Sequence, residues 1–243
     1  HAMETKLMYL EHMDQYTCQA MVVDVTSEEG RTIVILDQTV FYPQGGGQPY
    51  DMGTITAENG SRFLVEEVRF VEGVVRHIGK FEGKAFATGD TVTCAVDSER
   101  RHLHSRLHSA GHVVDIGLKK LGISWLPGKG YHFPNGPYDE YVGSLQGVDT
   151  AKMRADLETA CNEVISRNIT SEVGFMKQED RGSVGAFVPD HIPGNKPGRV
   201  VMYGDFGIPC GGTHVANLSE IKSMTIRKIK QDGANIRVSY GVG

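Results

Sequence analysis

Four residues with metal-binding side chains stand at spacings that suit one site. His108 and His112 lie in the stretch HSAGH. Cys210 and His214 lie in the stretch CGGTH, about a hundred residues later. Positions i and i+4 of a helix share one face, so the first pair can direct both imidazoles at a single point. One thiolate and three imidazoles form a ligand set that zinc accepts with tetrahedral geometry. The sequence therefore predicts a zinc (Zn2+) site.

The second pair lies where the chain is expected to turn. Gly211 and Gly212 follow Cys210, and two glycines let the backbone fold tightly enough to bring the thiolate and an imidazole to one centre. The alternative is a buried thiol beside surface histidines. Four protein ligands close a tetrahedral site, so a catalytic role requires an exchangeable ligand or an expanded coordination shell. The residues alone leave both possibilities open.

The remaining histidines and cysteines have weaker patterns. His132 lies in a Gly- and Pro-rich region and is the one further histidine expected to approach the site. His102 and His104 are expected to be solvated or packed, and His12, His77 and His191 are expected at the surface. The other three cysteines are scattered, which favours core thiols in a reduced, cytoplasmic setting over a disulfide framework. They are Cys18, Cys94 and Cys161.

A glycine motif, FYPQGGGQP, follows a strand-like run in the first half of the chain. Gly45, Gly46 and Gly47 expose backbone N–H groups that can approach a ligand closely. Gln48 adds an amide that both donates and accepts hydrogen bonds. A simple chain reversal between strands is the alternative. Because three consecutive glycines exceed what a turn needs, we expect a contact between backbone and ligand here.

The overall charge excludes a globally basic nucleic-acid-binding surface. The 243 residues carry a formal charge of −5, so any contact with RNA must come from a local patch. No apolar stretch is long enough for a membrane span, and the N-terminus lacks the pattern of a signal peptide. Seven basic residues are candidates for contacts with phosphates, and the alternative is that they form an ordinary solvated surface. They are Arg100, Arg101, Lys119, Lys120, Arg227, Lys228 and Lys230.

The first part of the chain, residues 3–96, is expected to form a small antiparallel β-barrel domain that contains the glycine motif. Short segments rich in β-branched residues alternate with Gly, Asn and Asp turns, which is typical of such barrels. The predicted strands are Ala20–Val25, Thr32–Leu36, Phe63–Phe70, Gly73–Ile78 and Thr91–Val96.

The remainder, residues 97–243, is expected to be an α+β domain with an antiparallel sheet and flanking helices. Apolar residues at spacings of three and four predict a helix from Asp97 or Ser98 to about Gly122, and a second from Asp149 or Thr150 to Asn168. The remaining predictions are a strand at Arg199–Tyr203, a hairpin of Met224–Lys230 with Ile236–Tyr240, and irregular segments at 127–143 and 182–198.

The motifs in this order resemble the AlaX proteins, free-standing relatives of the editing domain of alanyl-tRNA synthetase. The similarity extends from about Tyr9 to Tyr240 and includes HSAGH, CGGTH, LDQTVFYPQGGGQPYDMG and GKGYHFPNGPY, together with Asn162 in a CNEVI context. A barrel followed by one editing domain resembles the medium-length AlaX class. We therefore expect a free-standing protein rather than a fragment of a full synthetase.

The resemblance implies an activity, a cofactor and a partner. The activity is zinc-dependent hydrolysis of tRNA(Ala) mischarged with serine or with glycine. In the family the glycine motif borders the editing pocket. Zinc either activates a bound water as the catalytic group or binds the amino group of the substrate and holds the ester against water, and no side-chain base is assigned. Our own hypothesis is that backbone N–H groups of the motif stabilise the oxyanion. The alternative is a non-catalytic tRNA-binding module with a structural zinc. The ligands that the resemblance implies are His108, His112, Cys210 and His214.

Two departures from the family pattern concern the substrate pocket. Gly111 stands before the second histidine, where relatives often carry threonine or another larger side chain. The segment from Leu126 to Gly130 occupies the place where relatives put a polar side chain near the hydroxyl of serine. Lys129 is the substrate-binding candidate in this segment. A site that hydrogen-bonds the serine hydroxyl would leave its polar groups unpaired with alanine, which gives selectivity.

Overall fold

The computed structural model describes residues 3–176 and 198–243, which fall into two compact units. The first unit comprises His1–Gly45 and Pro49–Leu103, and the second comprises Gly46–Gln48 and His104–Gly243. Part of the glycine motif thus belongs to the second unit. His191 and nearly all of the irregular segment predicted at 182–198 lie outside the described residues. In the described part, no helix combines the length and apolar composition that crossing a bilayer requires.

The first unit contains a closed antiparallel barrel whose strand order is β2-β3-β7-β6-β5-β8. Alternate residues of β2 point inward, so Cys18, Ala20 and Val22 are buried while their neighbours are exposed or half-buried. A short parallel pair, β1 with β4, lies outside the barrel order. The strands are β1 Lys6–Leu7, β2 Thr17–Glu28, β3 Arg31–Leu36, β4 Gln38–Thr39, β5 Gly53–Ala57, β6 Arg62–Val71, β7 Val74–Glu82 and β8 Thr91–Val96.

His77 lies on β7 and is fully buried, so the prediction that it is a surface residue is wrong. Its Nδ1–H donates to the carbonyl oxygen of Val34 at 2.8 Å, and its Nε2 accepts from the Thr39 hydroxyl at 2.8 Å. Burial lowers the pKa of His77 to about 4. The imidazole is therefore neutral, and both ring nitrogens are hydrogen-bonded in place of water.

Arg101 is also fully buried within the first unit, so the prediction that it contacts tRNA is wrong. Its Nη2 lies 2.6 Å from Oδ2 of Asp51, which is itself fully buried. The guanidinium further donates to the carbonyl oxygens of Val40 and Met13, at 2.5 and 3.0 Å. Burial raises the pKa of Asp51, and the charge of Arg101 opposes that shift. This arginine is a structural cation.

The second unit contains a four-stranded sheet, order β14-β15-β10-β9, and a three-stranded sheet, order β11-β12-β13. Its strands are β9 Leu126–Tyr131, β10 Tyr138–Val142, β11 Ser171–Met176, β12 Gly198–Tyr203, β13 Phe206–Pro209, β14 Met224–Asp232 and β15 Asn235–Val242. The α-helices of the described residues are α1, Ser98–Lys120, and α2, Thr150–Ser166. The predicted α+β class, with a barrel and an antiparallel sheet, is confirmed.

The two helices contribute apolar residues to one core with the sheet strands. Val113 and Val114 of α1 are fully buried there, as are Leu157 and Cys161 of α2. The side chain of Asp149 accepts from Lys152 N at 3.1 Å and so caps α2 at the predicted position. The segment predicted as irregular at 127–143 instead forms β9 and β10, so that prediction is wrong.

Asn162 joins α2 to the first residue of β14. Its Nδ2 donates to Met224 O at 2.8 Å, and its Oδ1 accepts from Met224 N at 2.9 Å. The side chain therefore hydrogen-bonds both the N–H and the C=O of Met224, as a neighbouring strand would. The position that matches the family motif is a structural one.

Candidate metal centre

The four predicted ligands come together at one point in the second unit. Their ligand atoms all lie within 4.8 Å of one another. Cys210 Sγ is 3.4 Å from His108 Nε2 and 3.3 Å from His214 Nε2. In a tetrahedral zinc site with ordinary bond lengths, sulfur and nitrogen ligands stand about 3.6 Å apart. The spacing therefore suits a single ion between these atoms.

Oxygen atoms of the protein face the second nitrogen of all three imidazoles. Nδ1 of His112 lies 3.1 Å from the Tyr203 hydroxyl. Nδ1 of His214 lies 3.0 Å from the same hydroxyl and 3.0 Å from Ser109 Oγ. Each ring can therefore carry its proton on Nδ1 and present the lone pair of Nε2 to a metal, as second-sphere partners do in known metal sites.

Gln48 supplies the corresponding oxygen for His108. Its Oε1 accepts from His108 Nδ1 at 2.8 Å and from Thr213 N at 2.9 Å, while its Nε2 donates to Thr213 Oγ1 at 2.8 Å. The side chain is fully buried. Its amide is used within the protein, so the prediction that Gln48 contacts the substrate is corrected: it orients His108, one of the four candidate ligands.

The CGGTH segment has no room for a side chain at Gly212, because the side chains of His108 and Gln48 fill the space. A Cβ there would collide with the His108 ring and stand 2.7 Å from Gln48 Oε1. Gly212 N–H donates to Cys210 Sγ at 3.3 Å. Arg199 donates to the carbonyl oxygens of Cys210 and Gly212, both at 2.7 Å. The segment thus presents its sulfur in a fixed position beside a cation.

Burial decides the protonation of the ligands. It lowers the pKa of His112 to about 3, and it lowers the pKa of both His108 and His214 well below the usual value. It raises the pKa of the Cys210 thiol to about 11, against the Gly212 N–H and the charge of Arg199. The imidazoles are therefore neutral, as metal ligands must be, and a bound divalent ion would favour the thiolate.

The ligands open onto a cavity of about 340 Å³. His108, His112 and Cys210 contribute to its wall, together with His132, which the sequence predicted to approach the site. Phe206, Ile208 and Pro209 form an apolar part of the lining. The remaining lining residues are Gly46, Asp115, Pro127, Gly128, Gly130, Asp139 and Gly211. Sequence reasoning missed both carboxylates, because nothing in their spacing ties them to the ligands.

The other predicted substrate-binding residues lie in different surroundings. Gly46 lines the cavity, and the carbonyl oxygen of Gly47 accepts from His132 N at 2.8 Å. The carbonyl oxygen of Gly45 accepts from the Tyr42 hydroxyl at 2.8 Å. Lys129 is not part of the cavity lining, its side chain is 69% exposed, and its Nζ is 4.0 Å from Glu140. A contact between Lys129 and the tRNA part of the substrate stays a prediction.

The remaining basic residues divide by exposure. Arg100 is half-buried, and its Nε donates to Tyr50 O at 3.0 Å. The Nζ of Lys119 lies 5.1 Å from the ring centroid of Phe206 in the cavity wall. The exposed members are Lys119, Lys120, Arg227, Lys228 and Lys230. A contact between these residues and tRNA stays a prediction.

Comparison with known families places the chain among proteins related to tRNA synthetases. A model described as tRNA synthetases class II (A) matches residues 3–100. A model described as the threonyl and alanyl tRNA synthetase second additional domain matches residues 199–237. The second match extends from the arginine beside the thiol through Cys210 and His214, so it includes half of the ligand set.

The chain belongs to the AlaX family of alanyl-tRNA editing proteins, which confirms the resemblance drawn from its motifs. It is 30% identical over 247 residues to the alanyl-tRNA editing protein AlaX-M of Methanosarcina barkeri, covering 97% of this chain and 98% of that protein. It is 30% identical over 241 residues to AlaX-L of Pyrococcus horikoshii, covering 97% of this chain and 56% of that protein.

The chain is also similar to part of larger enzymes. It is 32% identical over 216 residues to the alanine–tRNA ligase of Methanothrix thermoacetophila. The match covers 86% of this chain and 23% of the ligase. The match to the alanine–tRNA ligase of Methanosarcina mazei covers 26% of that ligase. The chain thus spans about a quarter of the length of these ligases.

Proposed function

We propose that this protein is a trans-editing hydrolase that deacylates tRNA(Ala) mischarged with serine or glycine, at a zinc ion held by His108, His112, Cys210 and His214. Family membership supports alanyl-tRNA editing as the general role. The observation that supports catalysis is the position of the ligands, because three of the four form part of the wall of a 340 Å³ cavity. A cytoplasmic location, expected from the scattered cysteines, is part of the proposal.

The residues present fit zinc in number, type and spacing. When bound, the ion would supply a Lewis acid that polarises an ester carbonyl or lowers the pKa of water. Gln48, Tyr203 and Ser109 hold the three imidazoles, so the ligand set need not reorganise during the reaction. Such fixed geometry is what electrostatic catalysis requires.

The cavity wall supplies the remaining functions. The backbone of Gly46 borders the cavity, and we assign it to hydrogen-bond the ester oxygen as negative charge develops. Phe206 and Ile208 form the apolar side and limit the access of bulk water to the reacting group. No side-chain base is assigned, because an aminoacyl ester is already activated.

The exposed basic residues are assigned to the tRNA backbone. Their side chains carry positive charge on a protein whose net charge is −5, so they would provide local attraction. Arg100 is included with a smaller expected effect, because its guanidinium is partly used by Tyr50. The exposed members are Lys119, Lys120, Arg227, Lys228 and Lys230.

The second candidate function is a non-catalytic tRNA-binding module with a structural zinc. The observation in its favour is the number of ligands, since four protein ligands can complete a tetrahedron and leave no open position. The first function predicts hydrolysis that is lost with the ion, whereas the second predicts no hydrolysis and an ion that only stabilises the fold.

The test is a deacylation panel of Ser-, Gly- and Ala-tRNA(Ala), with metal content determined on the same protein. We expect about one zinc per chain, release of serine and glycine, and little release of alanine. Cys210→Ala should lose both zinc and hydrolysis. Cys94→Ala is the matched control, because Cys94 is a buried thiol of the barrel and not a ligand. It should keep both.

Circular dichroism checks that each variant is folded. Equal hydrolysis by wild type and a folded Cys210→Ala variant would show that the metal is not catalytic. Binding of tRNA without hydrolysis by wild type would support the module with a structural zinc. Absence of transition metal from the freshly purified protein would overturn both functions.

A further inference from the structure

We infer that Asp139, with His132 beside it, forms a subsite for the α-ammonium group of the aminoacyl ester, so that efficient hydrolysis requires a free amino group. The inference rests on the proposed function and adds a selectivity to it. The site would accept an aminoacyl ester and discriminate against an N-acylated one.

Asp139 has a buried carboxylate oxygen, Oδ2, that no described residue hydrogen-bonds. The residue lines the cavity and is only 8% exposed. Gly130, its register partner on β9, has no side chain to cover the carboxylate: a Cβ there would collide with His132 Nε2 and stand 3.2 Å from Asp139 Oδ1, so both acceptors stand beside this glycine. A carboxylate kept dry and unpaired is costly, which points to a partner supplied from outside the chain.

His132 provides a second acceptor in the same place. The Tyr240 hydroxyl donates to Leu107 O at 2.7 Å, so it must accept from His132 Nδ1–H at 2.6 Å. This chain of hydrogen bonds fixes the tautomer and leaves a lone pair on Nε2. Nε2 is 3.9 Å from Asp139 Oδ1, too far for a hydrogen bond, and it has no other partner in the described ranges. Two acceptors thus stand side by side.

Away from the four candidate metal ligands, the charge of the cavity wall favours a cation. A second carboxylate, Asp115, is part of the same wall, and its Oδ1 accepts from the Tyr141 hydroxyl at 2.5 Å. No arginine or lysine is among the described residues that line the cavity. Burial, and then repulsion from Asp115, raise the pKa of Asp139 well above its usual value. A bound cation would offset that cost and favour the ionised carboxylate.

An ammonium group suits these acceptors better than a second metal ion. Within the described residues, the only group of ligand atoms close enough for an ion is the set around Cys210. An ammonium carries three N–H donors and can serve a carboxylate and an imidazole together. An N-acyl group removes the charge and directs a carbonyl oxygen toward Asp139. The subsite would therefore reject peptidyl and formylated esters.

The experiment compares Ser-tRNA(Ala) with N-acetyl-Ser-tRNA(Ala) as substrates for wild type, Asp139→Asn and Glu140→Gln. Glu140 is the matched control, because it is the adjacent carboxylate and pairs with Arg237 at 2.9 Å instead of lining the cavity. We expect wild type to prefer the free amine at least tenfold in kcat/KM. Asp139→Asn should reduce this preference several-fold, mainly through KM, and Glu140→Gln should retain it.

Equal rates for the two esters in wild type would overturn the inference and leave the proposed function standing. If a folded Asp139→Asn variant kept the wild-type preference for the free amine, the inference would also be overturned. A structural role for Asp139 would lower both rates alike and leave their ratio unchanged.

A second measurement does not depend on hydrolysis or on a variant. Calorimetry with 3′-seryl-amino-adenosine, a stable amide, and with its N-acetyl derivative measures binding to wild type alone. We expect the free amine to bind at least tenfold more tightly. Equal binding would overturn the subsite, whereas preferential binding without hydrolysis of any tRNA would overturn the proposed function and retain the subsite.

Discussion

The imidazole of His132 occupies the space that a side chain at position 111 would need. A Cβ placed on Gly111 would meet ring atom Cε1 and would stand 2.8 Å from Nδ1 and 3.2 Å from the Tyr240 hydroxyl oxygen. A Cβ on Gly130 would stand 2.8 Å from Cε1, and one on Gly47 would stand 3.2 Å from Cδ2. Three glycines from a helix, a strand and a turn therefore enclose one ring.

The first prediction concerns Gly111→Ala. Helix propensity alone would make this change stabilising by about 1 kcal/mol. We expect instead a loss of about 1–3 kcal/mol in the free energy of unfolding, because the new methyl group displaces His132. Urea denaturation of the two single variants and of Gly111→Ala with His132→Ala measures this. The double variant should cost less than the sum of the singles, and simple additivity would contradict the contact.

The second prediction separates the two roles considered for Gln48. Gln48→Leu removes the acceptor that orients His108, so zinc affinity should fall about 10–100-fold, as for other second-sphere partners. Competition with a chromophoric chelator measures that affinity. A side chain that served only the substrate would give a different result, an unchanged zinc affinity with a raised KM.

The third prediction is a pH dependence of stability that depends on His77. Its pKa is about 4 in the folded protein, below the ordinary 6.5 expected when unfolded. The unfolded state therefore binds the proton first as the pH falls. The contribution of the neutral ring is fully present above pH 6.5 and is lost towards pH 4, by about 3 kcal/mol.

His77→Gln lacks this titration and serves as the reference. Denaturant unfolding of both proteins between pH 7 and pH 4 should show wild type losing about 3 kcal/mol relative to the variant. Parallel pH profiles of the two proteins would argue against a buried neutral imidazole at this position.

The fourth prediction concerns the buried pair of Arg101 and Asp51. Arg101→Met leaves the carboxylate of Asp51 buried without its cation, which should cost about 3–5 kcal/mol of stability. The salt dependence of tRNA binding should not change in the variant that remains folded. A weaker salt dependence of tRNA binding in the variant would indicate that Arg101 does contact tRNA.

The fifth prediction concerns two exposed cations on β14, Arg227 and Lys228. Replacing both with alanine should leave stability nearly unchanged and weaken tRNA binding. The slope of log affinity against log salt should flatten by about 0.9 for each phosphate that the variant no longer neutralises. Lys152→Ala is the control, because Lys152 is exposed on α2 and pairs with Asp156 at 2.8 Å. Unchanged binding in the double variant would remove both residues from the proposed surface.

Local patterns predicted the elements whose signals are strong. The long apolar repeat and its flanking polar residues predicted α1 and α2 to within a few positions, because helix periodicity and capping are properties of neighbouring residues. The β-branched runs predicted β3 and β8 in the same way. The convergence of His108, His112, Cys210 and His214 was predicted because each pair has a helix or turn spacing that brings two side chains together.

Features that depend on distant pairing were missed. The segments LPGKGY and YDEYV form β9 and β10, although their Gly and Pro content or acidic residues disfavour strands. Their hydrogen bonds with each other and with β15 override that preference. For the same reason Asp139 gave no signal, since its closeness to His132 arises only from the strand register.

The position of Tyr203 depends on the register of the β12–β13 hairpin. Its hydroxyl contacts both His112 and His214, and it lies at the end of β12, paired with Phe206 across a tight turn. Since the side chains of a strand alternate between faces, a slip of one residue in this hairpin would turn the hydroxyl to the opposite face. His112 and His214 would then both lose their hydrogen bond to Tyr203. The thiol of Cys210, which directly follows β13, would also be displaced. Correct alignment of this small hairpin during folding is thus a precondition for holding any ion.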